Sequence, residues 1–312
     1  MLAIFLSGKA EEGGILVSSM ATDDNAGRRK KRSKDGGIGV FRVALKAVAL
    51  MFATYTRIPM PHMEWTGDEM GLAIAFLPLA GVVVGGALWC WQMACCALGI
   101  GAVLYAAVAV AIPVLITGGI HMDGYCDTCD ALASWRSKER SLEIMKDPHI
   151  GSFALVRLGI HLLLCFAVFH ELYAWGMGPA IAFMYPLSRC LAVLSAATLP
   201  NARKDGMLVA FTERLDRRAA VAILSLSAAV SAVGWIWFSF PAGLAGLALC
   251  LPVTLWYRRM ARKRFGGATG DTTGYYLQIT ELVLLAGLLV GLLVGLLVGL
   301  QAGLSAGVAA MA

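Results

Sequence analysis

The sequence predicts an all-α, polytopic integral membrane protein: a helix bundle of about seven transmembrane helices, preceded by an N-terminal interfacial or re-entrant helix. Composition is the first observation behind this. Of 312 residues, 59% are hydrophobic and 15% charged, and mean hydropathy is +0.73, whereas soluble domains carry about 25% charged residues. The second is extent, because apolar runs recur from residue 40 to the end, with no break that would mark a second domain. The third is charge placement. Net charge is +6 and six of the 26 Lys and Arg lie between Arg28 and Lys34. Most of the others fall in three connecting segments, the pattern of a membrane protein with basic cytoplasmic loops rather than of a nucleic-acid binder. Disordered, disulfide-scaffold and collagen-like classes are excluded by the same figures, and a soluble enzyme becomes remote. Most of the eight Cys sit in apolar stretches, where a free thiol behaves as a small hydrophobe.

Residues 1–39 are expected to be a polar, basic, disordered tail, with Met20 as a plausible true start, and residues 40–312 a single helical membrane catalytic domain. Residues 1–6 are too short for a signal-peptide core and no basic residue precedes them. Residues 41–56 carry Arg42 and Lys46 and precede Pro59 and Pro61. That is shorter than the ~20 apolar residues a span needs, hence the interfacial or re-entrant helix. Spans are expected at 71–98, 101–120, 154–177, 179–199, 219–240, 242–257 and 277–300. Three larger segments, 121–153, 200–218 and 258–274, then share one side with the N-terminus, carrying four, five and five Lys plus Arg. The connections near 100, 178 and 241 have none. The positive-inside rule places the three segments and the N-terminus in the cytoplasm. In the last apolar run Gly287, Gly291, Gly295 and Gly299 recur every fourth residue, a face for close helix packing.

The acidic residues locate the chemistry. Six of 20 lie between Asp123 and Asp147, and the run His121-Met-Asp-Gly-Tyr-Cys-Asp-Thr-Cys-Asp130 places Asp123, Asp127 and Asp130 at i, i+4, i+7, one helix face. Stacked carboxylates beside a membrane helix repel unless a cation sits among them, and oxygen ligands at this density suit Mg²⁺ or Mn²⁺ completed by substrate phosphates. A solvated acidic face is the bland alternative. Downstream, Glu143-Ile-Met-Lys-Asp-Pro-His-Ile-Gly151 offers Asp147 as a further metal carboxylate and Lys146 as a point charge for phosphate. The Gly-rich run before Asp271 could bring backbone N–H groups to phosphate, or simply reverse the chain. Arg189 lies deep inside an apolar segment, where it must face a cavity or pair with a carboxylate such as Glu281. Arg157 could snorkel. His121 and His149 flank the acidic motif as second-rank candidates. Cys126 and Cys129 lack the second pair a zinc site needs.

These residues resemble the cobalamin synthase (adenosylcobinamide-GDP ribazoletransferase) family. The likeness is carried by Gly118 to Asp130 and Glu143 to Gly151. Further matches are Thr56-Arg57-Ile-Pro59, Phe76-Leu-Pro78-Leu-Ala-Gly81, Ser188-Arg189, Pro200-Asn-Ala-Arg203 and Gly266-Gly-Ala-Thr-Gly-Asp271. It covers residues 41–285 and leaves out the tail and the Gly repeat. It departs where Cys126 and Cys129 replace small residues and Ala131 a frequent Gly.

The resemblance implies a Mg²⁺-dependent enzyme of the bacterial cytoplasmic membrane. It would join adenosylcobinamide-GDP to α-ribazole, or its 5′-phosphate, and release GMP. Metal ligands would be Asp123, Asp127, Asp130 and Asp147. Asp130, Lys146, Arg189 and Arg203 would be catalytic, and Arg57, Gly267, Gly270 and Asp271 would bind substrate. A homo-oligomer or association with other cobalamin-assembly enzymes is compatible with it, and no nucleic-acid partner is expected. The alternatives are a CDP-alcohol phosphatidyltransferase, whose Asp-x-x-Asp-Gly-x-x-Ala-Arg pattern is absent here, and a cation or metabolite permease.

Overall fold

In a computed structural model, residues 36–61, 67–213 and 215–311 are described, and among them every regular element is helical. The tail expected over residues 1–39 lies outside the described residues as far as residue 35, and the first helix begins at Gly36. The helices are α1 (Gly36–Tyr55), α2 (Gly67–Ala73), α3 (Leu77–Leu98), α4 (Ala102–Thr117), α5 (Ile120–Ala133), α6 (Lys138–Ile144), α7 (Ser152–Tyr173), α8 (Gly178–Thr198), α9 (Met207–Thr212), α10 (Arg217–Ser239), α11 (Gly243–Arg264) and α12 (Gly270–Met311).

Among the described residues, five stretches are long and apolar enough to cross a membrane: Glu69–Leu98, Ser152–Tyr173, Gly178–Thr198, Arg217–Ser239 and Gly270–Leu300. A sixth is counted if α4 and α5, bent by 96°, form one broken span. By length and composition, five or six of the expected seven are spans among the described residues. The stretch expected at 242–257 is helical, but its helix runs on into Arg258, Arg259, Arg262, Lys263 and Arg264, which leave too short an apolar run. Helix α1 is not among the spans. It turns Phe41 and Leu45 outward, and Lys46 reaches the buried Glu69 at 3.7 Å.

Helix α8 is the axis of the bundle, packed between α3, α10 and α12. Lipid offers no hydrophobic drive between helices, so close backbone approach has to hold them together. Small residues permit it: a Cβ on Gly85 would lie 2.1 Å from Ala182 O, and one on Gly81 2.6 Å from Tyr185 O. The glycine face of α12 works the same way in part. Gly287 and Gly291 meet Gly246 and Ala242 of the α11 region, whereas Gly295 and Gly299 face open space.

The connections segregate as the charges do. Tyr173 Oη donates to Ile100 O (2.8 Å) at one end of the bundle, among connections with no Lys or Arg. At the other end the basic segments meet: Arg203 Nη2 donates to Leu142 O (3.1 Å) and Arg264 Nη2 to Leu132 O (3.5 Å). The segments expected as loops here carry helices α5, α6 and α9.

Candidate active site at the basic end of the bundle

Two left-handed glycines, Gly118 (φ 67°) and Gly119 (φ 82°), end α4 and swing α5 away from it. L side chains disfavour this conformation, so the turn needs glycine twice. Helix α5 then crosses the start of α12 backbone to backbone. A Cβ on Gly124 would lie 2.8 Å from Asp271 Cα, and one on Gly274 3.1 Å from His121 O. This crossing brings Asp123 and Asp127 beside Asp271, which lies 144 positions beyond Asp127 along the chain.

Asp271 is held in place by a clip between two distant segments. Ala202 N donates to Ala268 O (2.9 Å) and Ala268 N to Pro200 O (2.8 Å). Gly267 must be glycine, because a Cβ there would lie 2.1 Å from Pro200 O. Thr269 and Thr272 cap the start of α12 reciprocally, Thr272 N donating to Thr269 Oγ1 and Thr269 N to Thr272 Oγ1. The clip also delivers Arg203, whose Nη1 lies 3.3 Å from Asp271 Oδ2.

The electrostatics follow from this convergence. Asp123 and Asp127 stand on α5, outside the five spanning helices. Burial raises the Asp123 carboxyl above its ordinary value. Asp127 is pushed up to about 7, first by burial and then by the charges of Asp123 and Asp271, with Arg203 opposing. Excess negative charge of this kind is relieved by a bound cation. Oxygen-only donors fit Mg²⁺, although among the described residues no three Asp, Glu, His or Cys side chains already stand in a metal-holding arrangement.

The other predicted residues divide. Asp130 accepts from Gly151 N (2.6 Å) with Oδ2 and from Ala154 N (2.9 Å) with Oδ1, holding the start of α7 with both oxygens. Asp147 is exposed, and hydrogen bonds from His149 N and the His149 ring hold its carboxyl below the usual range. Asp127, Asp130 and Asp147 nonetheless line one groove of about 280 Å³, with His149 and Phe153. Lys146 Nζ lies 3.4 Å from Asp205 Oδ2 with both side chains more than half exposed. Such pairs contribute little, so Lys146→Ala is expected to change thermal stability and turnover less than twofold; a larger loss of turnover would return Lys146 to the machinery.

Arg189 is buried and bonded to Glu281, to Tyr185 O (3.1 Å) and to Ser188 Oγ (2.9 Å). The structural ion pair, rather than a free phosphate ligand, is what the fold makes of it. Arg57 is exposed, and its guanidinium stem lies against Gly118, where an added Cβ would meet Nε at 2.8 Å. The phosphate-cradle expectation for the Gly-rich run is narrowed. Gly267 N donates to Ala261 O, and the N–H groups of Ala268 and Thr269 are also taken, while Gly266 and Gly270 have open space around them.

Sequence reasoning missed two contributors. Gly124 permits the α5–α12 crossing. Arg157 braces α5, its Nη1 donating to Cys129 O (3.0 Å) while Tyr125 Oη donates to Arg157 O (3.4 Å). A glycine inside the acidic helix was the available signal for the first, since a helix interior without a side chain marks a close approach.

Fold and site together define a helical membrane protein with a carboxylate and arginine centre at the basic end of its bundle. The cobalamin-5-phosphate synthase family matches over residues 47–290. The chain belongs to that family. It is 37% identical over 244 residues to a protein of Lachnoclostridium phytofermentans named adenosylcobinamide-GDP ribazoletransferase, covering 78% of this chain and 92% of that one. Proteins of the same name from Pseudomonas entomophila (37% identical; 77% of this chain, 96% of the relative) and Desulfitobacterium hafniense (33%; 77% and 94%) are also similar. No solved structure matches the chain.

Proposed function

We propose that the chain transfers the adenosylcobinamide-phosphate moiety of adenosylcobinamide-GDP to α-ribazole, or its 5′-phosphate, giving adenosylcobalamin, or its phosphate, and GMP. The observation that carries the reading is the convergence of Asp123, Asp127, Asp271 and Arg203 at the basic end, within a chain that matches ribazoletransferases over most of its length. Asp123, Asp127 and Asp271 would hold Mg²⁺, with Asp130 and Asp147 on the adjoining groove. Such a cation neutralises diphosphate charge and orients the leaving group.

The chain's own groups do the rest. Arg203, beside Asp271, supplies positive charge to the phosphate oxygens. The ribazole hydroxyl bonds to the corrinoid-side phosphorus as the bond to the bridging oxygen breaks, GMP leaves, and the hydroxyl proton passes to a carboxylate of the Asp127, Asp130 and Asp147 groove. Positioning supplies much of the rate. The basic end faces the cytoplasm of a bacterial inner membrane, by the positive-inside rule.

The test is GMP release by the purified protein in liposomes, from adenosylcobinamide-GDP with and without α-ribazole and Mg²⁺. GMP that needs all three supports the reading. Folded protein that releases none, but uses a CDP-alcohol or moves solute into sealed vesicles, replaces it.

A pH dependence follows from Asp127. Its carboxyl is half protonated near pH 7 without the cation, so Mg²⁺ must displace a proton there at lower pH. Half-saturating Mg²⁺ is expected to rise about tenfold from pH 8 to pH 6. A flat profile would remove Asp127 from the metal ligands.

A further inference from the structure

Behind the acidic helix lies a cavity that the transfer chemistry does not use. It is lined by His161 and Cys165 of α7, Tyr185 and Arg189 of α8, and Gln278 and Glu281 of α12. Gly119 and Met122 line it on the side of the α4–α5 turn. Two of its side chains are almost wholly buried and incompletely bonded. Arg189 is 1% exposed and its Nε makes no hydrogen bond to protein; His161 is 3% exposed and its Nδ1 makes none. Arg189 Nη1 is engaged with Glu281 and Tyr185 O, and the His161 ring with Cys165 Sγ at 3.6 Å through Nε2 and with the side chain of Gln278. An N–H left unbonded at this depth is destabilising, so a partner is expected. The cavity offers about 30 Å³ to the centres of water molecules, and a water needs about 10–15 Å³ by that measure together with two or more polar partners.

We propose that this cavity is a binding site for about two ordered water molecules, which accept from Arg189 Nε and bridge it to His161 Nδ1, and that Arg189 and His161 are thereby positioning residues for the carboxylate centre. The link to the centre is α12. Glu281 and Asp271 stand ten residues apart on it, about 15 Å along the axis, and α5 rests on its first turns through Gly124 and Gly274. Water joining α7, α8 and α12 fixes how far α12 slides along α8. That sets Asp271 against Asp123 and Asp127. The kinetic half of the inference rests on the proposed reaction; the hydration half does not.

The experiment is pulsed hydroxyl-radical labelling of the full chain in nanodiscs, read by mass spectrometry. Radicals form from water, so a buried side chain beside bound water is oxidised and an equally buried dry one is not. Tyr185 of the cavity is expected to be modified at least fivefold faster than Tyr105, which is 1% exposed and does not line it. Equal rates would overturn the site without any variant or turnover assay.

His161→Phe, which fills the space with an apolar ring, is expected to bring Tyr185 down to the Tyr105 rate. It should also lower kcat about tenfold with KM for both substrates within twofold. His161→Gln, which restores a polar group, is expected to recover both readouts. Loss of labelling with kcat unchanged would overturn the positioning role and leave the water site. Labelling as expected in a protein that releases no GMP would overturn the reaction and leave the water site standing.

Discussion

Asp127→Asn is expected to lower the rate of GMP release at saturating Mg²⁺ about 10³-fold while leaving the protein folded, the scale typical of removing one preorganised charged group from a reacting centre. The amide keeps the shape of the carboxyl but neither its charge nor its second acceptor. It also removes repulsion toward Asp123 and Asp271, the charges that push the Asp127 carboxyl up to about 7. Thermal stability is therefore expected to hold or rise. That combination separates a functional loss from a structural one. Turnover within tenfold of the parent would remove Asp127 from the centre and leave the acidic helix face without a catalytic role.

The largest effect on stability is expected at Arg189. Arg189→Ala leaves Glu281, 6% exposed, as an uncompensated buried carboxylate, a loss of about 3–5 kcal/mol. The double replacement Arg189→Met with Glu281→Leu removes both charges and is expected to recover most of that loss, because a well-packed apolar pair can substitute for a buried ion pair. Reversible denaturation in mixed micelles measures both. Equal destabilisation by the single and double variants would show that volume at this site, rather than the orphaned charge, decides stability.

What could be read from the sequence follows from how far apart the deciding residues lie. Each expected apolar run is a helix, since length and hydropathy are local properties. The count fell short at residues 242–257, where the basic tail of α11 belongs to the same helix as its apolar start. The placing of Asp123, Asp127 and Asp130 on one helix came from their spacing alone. Arg189 with Glu281 was foreseeable because a charge at that depth needs a counter-charge. The rest depends on pairings that no local pattern announces. Asp130 is occupied by Gly151, 21 positions on; Lys146 meets Asp205, 59 positions on; Gly267 lies against Pro200. The Gly-rich run therefore reads equally as a phosphate cradle or a chain reversal, and Gly267 in it lets two chain segments touch. Asp271 was singled out by sequence, but its place among the α5 carboxylates required Gly124 and Gly274.

The apolar stretch Gly270–Leu300 of α12 is 31 residues long, about 46 Å of helix, against a hydrocarbon thickness of about 30 Å. Lying wholly within that layer would require a tilt of about 50°, beyond the 0–40° usual for such helices. One end must therefore emerge, and the polar first turns that carry Asp271 at the basic end of the bundle are the part that does. Since Asp271 sits on that end of the rod, bilayer thickness becomes a mechanical input to the centre. Turnover is accordingly expected to rise on reconstitution from short-chain into longer-chain phosphatidylcholines, as the lipid comes to match the helix.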